Sequence, residues 1–132
     1  MITNYQSRSK NKEIKNSGCY FYCLIVAANR NPEEAETLYS SMIEKGFMKN
    51  DCYILDPCKI LSELTNQNYK VINSKNYDQK AEIKIAKWHN SKTGYSHFVL
   101  MKNETEVLFD SFGHSNTVKN GFIESWRLFY KL

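Results

Sequence analysis

Proline, glycine and arginine are scarce in this chain, whereas lysine, asparagine and isoleucine are heavily used. The imbalance looks like the codon bias of an AT-rich genome. It suggests a low-GC bacterium or its phage, and says nothing about chemistry. No apolar run approaches the ~20 residues of a membrane-spanning helix. The first fifteen residues are polar and basic with no apolar stretch, so no secretory signal is visible, and a cytoplasmic location is expected. No repeat, linker or low-complexity tract interrupts the chain. The four cysteines are expected as free thiols in such a compartment. Their spacings, Cys19-x3-Cys23 and Cys52-x5-Cys58, lack a paired Cys-x2-Cys framework. His89, His97 and His114 form no pair at helical spacing, so neither a metal nor another cofactor is expected.

What is present suits one folded domain. At 132 residues, with nine Tyr, seven Phe and two Trp, the chain can bury roughly two-thirds of its unfolded surface. The net charge of +4 is mild, and its one local cluster is Arg8, Lys10, Lys12 and Lys15. Residues 1–13 therefore read as a basic, flexible arm before a single domain over 14–132. No aromatic stacking platform accompanies those lysines, which argues against nucleic acid as a partner.

Helical signals fill the first half. Cys19 to Ala28 reads as a buried helix. Asn31-Pro32-Glu33-Glu34 is a helix start, with Asn as N-cap and acids in the first turn. That helix carries Leu38, Met42 and Ile43 on one side and stops at Gly46. Asp56-Pro57 opens another, closed by a turn at residues 66–68. Strand patterns follow at 69–72, 81–88, 95–102, 105–110 and 122–130. Ser125, Arg127 and Phe129 share one face of the last. Helices first and antiparallel strands second is an α+β plan.

Cys19 concentrates the chemical interest. A thiol in the first turn of a helix feels the positive end of the dipole, which favours thiolate. Far downstream come Ser96-His97-Phe98-Val99-Leu100 and Phe109-Asp110-Ser111. Cys on an early helix, then His, then Asp on successive strands, is the chain order of a thiol catalyst. A tight turn centred on Asn103-Glu104 would oppose Met101 to Glu106, Val99 to Leu108 and His97 to Asp110. Directly opposed Cβ atoms are ~4.5–5.5 Å apart, within reach of a carboxylate–imidazole contact. A slip of one residue would send the two side chains to opposite faces.

Gly18-Cys19, the Ser96–Leu100 run and the strand ending Phe109-Asp110-Ser111 resemble the papain-like cysteine peptidase superfamily, nearest its bacteriocin-processing branch. The layout, with Gly46-Phe47, Asp51-Cys52 and the Asp56-Pro57 helix, is also similar to small uncharacterised phage and spirochaete plasmid proteins of a domain family of unknown function. The resemblance covers about residues 14–132. It implies a papain-like fold with the Cys on the first helix, packed on a C-terminal antiparallel sheet. It also implies thiol hydrolysis of an amide in a peptide, protein or cell-wall peptide, without a membrane partner. Cys19 would be nucleophile, His97 general base and acid, and Asp110 the orienting group. The family places a Gln about six residues before the Cys as oxyanion donor; here Glu13 stands there and cannot donate when ionised. Asn16 is the nearest amide, the Cys19 backbone N–H is a second candidate, and Gln6 is further away. Gly18, Ser96, Ser111 and His114 are candidate substrate contacts.

Each of these residues also has a plainer reading. Free Cys is often a small buried hydrophobe, and Cys23, Cys52 and Cys58 read as packing residues. A His on an apolar strand is by default a satisfied core residue, Asp110 suits a turn, and both tryptophans suit the core. Two functions stand side by side: a cysteine hydrolase, and a catalytically silent papain-like module that binds a host or phage protein.

Overall fold

Small polar side chains start the helices by accepting the N–H groups that a first turn leaves free. In the computed structural model, which describes residues 4–132, Asn11 opens helix α1 (Lys12–Ser17) by accepting from Glu13 N and Ile14 N. This helix lies where the charge pattern suggested the end of a flexible arm. The described residues ahead of it are fastened too. Gln6 is 1% exposed, and its amide is held between Lys15 O and the Ser111 hydroxyl. Hydrogen bonds at both ends of one buried amide thus hold this segment in place; residues 1–3 of the expected arm lie outside the described part.

Gly18 separates α1 from α2 (Cys19–Ala27), in which Phe21, Tyr22, Cys23, Leu24 and Ile25 are buried. A helix apolar nearly all round must run through the interior, and α2 does. At Asn31 a capping box with Glu34 starts a 3-10 turn (Pro32–Glu34) that leads into α3 (Ala35–Glu44). Met42 of α3 is buried and Gly46 has φ +80°, the left-handed geometry expected just past a helix end. Asp56 caps α4 (Pro57–Thr65) by accepting from Lys59 N, and Asn66 ends it at φ +60°.

Five strands form one antiparallel sheet: β1 (Tyr69–Ser74), β2 (Ile83–His89), β3 (Ser96–Met101), β4 (Val107–Phe109) and β5 (Phe122–Lys131). Their spatial order is β1-β5-β2-β3-β4, so the last strand of the chain inserts between the first two. Helices α2 and α4 pack on one face, where Ile83, Ile85, Leu100 and Phe129 join the main core. Ala86, Val99, Trp126 and Leu128 form a smaller cluster, against which Tyr77 and Val118 pack. The protein is α+β, as the order of patterns indicated. No helix among the described residues is long and apolar enough to cross a membrane.

The β3–β4 hairpin departs from the expected register. Met101 faces Val107 rather than Glu106, and after a bulge Leu100 faces Phe109. The cause is local: Asn103 Oδ1 accepts from both Thr105 N and Glu106 N, an Asx-type turn that widens the loop. The bulge brings the total displacement to an even step, which preserves side-chain parity. Continued past the end of β4, this register sets Asp110 against Val99 and Phe112 against His97. Asp110 therefore meets His97 diagonally rather than head-on.

Candidate active site

Helix α2 carries Cys19 in its first turn, and Gly18 is there for steric reasons. A Cβ on Gly18 would stand 2.6 Å from Ile14 O, a backbone atom that cannot swing away. Gly18 N donates to Ile14 O and Gly18 O accepts from Tyr22 N, which welds α1 to α2. Gly18 is buried, so it shapes the joint beneath the thiol. No side chain caps the N-terminus of α2. Cys19 is half-buried, Cys23 and Cys52 are buried, and Cys58 is half-buried; all four thiols are free.

His97 is 3% exposed and its Nε2 lies 2.7 Å from Asp110 Oδ1. The Phe112 ring packs 4.9 Å from the imidazole, centroid to centroid. Burial alone would push the His97 pKa down. The hydrogen bond and charge of Asp110, with a further influence from the neighbouring Cys19, outweigh burial and lift it to about 9. Among the described residues the one well-formed hydrogen bond of the ring is that to Asp110. The Cys19 thiol is near enough to influence the ring but makes no well-formed hydrogen bond to it.

Asp110 is fixed from three sides. His97 and Phe112 N share Oδ1, and Ser115 N donates to Oδ2 at 3.2 Å. Burial raises its pKa, but His97, Ser115 and Phe112 together hold it below the ordinary value. Ser115 also caps α5 (Asn116–Asn120) by accepting from Val118 N. The start of α5 therefore orients the carboxylate, a role the sequence hid in a Gly/Ser/Asn-rich stretch that reads as loop.

The other candidates disperse. Ser111 is fully buried and its hydroxyl is committed to Gln6 Oε1 at 2.5 Å. Ser111, expected as a substrate contact, anchors the N-terminal segment. Exposed Ser96 bonds His89 Nδ1 through its hydroxyl. His114 lines a cavity of about 630 Å³ with Tyr5, Asp110 and Lys119, whereas Cys19 lines a different one of about 490 Å³. Asn16 is exposed on α1. Gln6, the more distant amide, donates to Lys15 O and so has a structural task. Trp126 is buried beside Tyr77, and the buried Nε1 of Trp88 has no partner among the described residues.

The Cys19 cavity holds groups the sequence reading passed over. Tyr20 of α2 stacks on Phe98 of β3 at 4.6 Å, and the Arg127 guanidinium lies 5.4 Å from the Phe98 ring centre. Cys52, at φ +69°, forms another part of its wall. Burial pushes the Cys52 thiol up to about 12 and raises Cys23 well above the ordinary value. Cys58 is raised for the same reason. Among the described residues no group of three or more His, Cys, Asp or Glu side chains could hold a metal ion.

An α+β chain with a half-exposed thiol set against a buried His–Asp pair is the class defined by this fold and site. The model of the family described as "Protein of unknown function, DUF261" matches residues 1–131, and the chain belongs to that family. No curated protein and no solved structure matches it.

Proposed function

We propose that the protein is a papain-like cysteine hydrolase that cleaves an amide in a peptide or protein, with Cys19, His97 and Asp110 as its triad. The observation that carries this reading is the buried 2.7 Å His97–Asp110 contact beside the thiol at the start of α2. His97 uses Nε2 for Asp110, which leaves Nδ1 for the thiol. A His97 pKa of about 9 favours the protonated ring at neutral pH, the partner that the mechanism needs when Cys19 attacks. Cys19 Sγ attacks the carbonyl carbon and forms a tetrahedral oxyanion. The imidazolium then gives its proton to the leaving amine as the C–N bond breaks. Neutral His97 next takes a proton from water, whose oxygen attacks the thioester and releases acid and thiol. The uncapped backbone N–H groups at the start of α2 suit the oxyanion, and Asn16 remains the nearest side-chain amide in sequence.

A binding-only module is favoured by one observation. The buried amide of Gln6 is committed to Lys15 O and Ser111, and loss of one oxyanion donor costs ~10²–10³ in rate. The pH dependence of iodoacetamide labelling, with the modified residue located by mass spectrometry, separates the two readings. The hydrolase reading expects Cys19 to label selectively near pH 6, and labelling to slow at least tenfold in His97→Ala. Slow labelling that rises only near the ordinary thiol value of ~8.5 would leave the binding module.

A further inference from the structure

Arg127 is the one arginine of the β-sheet, and its surroundings leave it unneutralised. It sits half-buried on the helix-covered face of β5, above the Phe98 ring that stacks on Tyr20, the residue next to Cys19. No carboxylate among the described residues lies within 4.0 Å of it. Its hydrogen bonds run from Nη1 alone, to Ser125 Oγ at 3.0 Å and Trp126 O at 3.3 Å. The edge formed by Nε and Nη2, the fork that grips a carboxylate with two parallel bonds, has no partner among the described residues. Its charge is felt nearby: burial raises the Tyr20 phenol far above its usual value, and Arg127 works against that rise.

Both Arg127 and Cys19 line the 490 Å³ cavity. Its one acidic member, Asp51, is exposed and accepts from Tyr53 N in its own loop through Oδ1. Exposed Tyr53 and Leu55 supply apolar surface to the same cavity. A half-buried cation, an unused planar donor edge and apolar walls beside a thiol together select for an anion attached to a partly apolar chain.

We propose that Arg127 is a specificity-determining residue which binds a carboxylate of the substrate close to the bond presented to Cys19. The substrate class is then a peptide with an acidic side chain, or a terminal carboxylate, at that place. This deepens the hydrolase reading and rests on it for the word substrate; the anion site itself does not depend on catalysis.

The test compares two alkylating agents of similar size and opposite character, anionic iodoacetate and neutral iodoacetamide, on Cys19 at fixed pH and low salt. The ratio of their rates should fall roughly tenfold in Arg127→Gln, the loss expected when a charged hydrogen bond goes. The iodoacetamide rate should stay within about twofold. Arg127→Lys, which keeps charge but not the fork, should recover part of the ratio. His97 draws iodoacetate equally in each variant, so the difference isolates Arg127. An unchanged ratio in both variants, with melting curves showing them folded, overturns the proposal. Slow labelling by both reagents that nevertheless shows the ratio change would retain the anion site and remove the hydrolase reading. Protection of Cys19 by acetyl-Ala-Glu-Ala-amide over its Gln counterpart assigns the carboxylate to a side chain. Protection by the Gln peptide only as its free acid assigns it to a chain terminus.

Discussion

His97 and Asp110 hold each other's charge in place, and the shifts fix the sign of their pH dependence. The folded His97 pKa, about 9, exceeds the ordinary ~6.5. Its stabilisation is complete below ~6.5 and is lost as pH rises through about 9. Asp110 is shifted down, so its contribution is present above the ordinary ~3.9 and lost as pH falls through its depressed value. The pair is therefore fully stabilising between roughly pH 4 and 6.5. Urea midpoints should decline from pH 6 to pH 9.5 in wild type more steeply than in His97→Gln; equal declines would reject the assignment. Asp110→Asn removes the largest influence raising the imidazole and leaves burial opposed mainly by Cys19. A histidine C2-proton NMR titration should show the His97 midpoint moving down by more than one unit, worth ~1.4 kcal/mol per unit. A stationary midpoint would mean that Asp110 is a turn acid.

Local elements explain which parts of this arrangement can be read from the sequence. The starts at Asn31 and Asp56 were legible because an Asn or Asp followed by Pro is a cap with a mechanism. The facing of β5 was legible from its alternation, with Arg127 and Phe129 on one side. Helix α1 was not, since its six residues carry a single buried apolar side chain, Ile14. Nor was α5, five residues long with Thr117 as its buried member; periodicity needs longer stretches than these. The His97–Asp110 pairing was anticipated through a register that is not the observed one. It survives because the displacement introduced around the Asn103 turn ends on an even step. Steric fit at the joint of α1 and α2 likewise escapes a one-dimensional reading. Gly18→Ala should cost about 1–3 kcal/mol in urea denaturation, because the new methyl meets backbone at Ile14 O. It should also slow Cys19 labelling, since α2 has to shift to relieve the contact. A variant of unaltered stability would show that the joint yields freely.

Across the whole molecule, Gln6 connects regions that are remote in sequence. Its backbone N donates to Ser111 O at 2.9 Å, and its side chain reaches both Lys15 O and the Ser111 hydroxyl. Gln6→Leu would leave the buried Ser111 hydroxyl without its partner, at about 1–3 kcal/mol, and free the Lys15 carbonyl. A lower melting temperature and faster tryptic cleavage at Lys10 and Lys12 are the expected outcomes, and unchanged proteolysis would count against this role. The same contact sets an order of events in time. A bridge between residues 6 and 111 closes a loop of nearly the whole chain, the kind of contact that forms late because its entropy must be met first. On a ribosome, Ser9 and Lys10 can meet Glu36 early, but Gln6 lacks its Ser111 partner until residue 111 has been made, and by then Asp110 has preceded it. A nascent chain thus carries Cys19 for 91 further residues before it acquires the acid that orients His97.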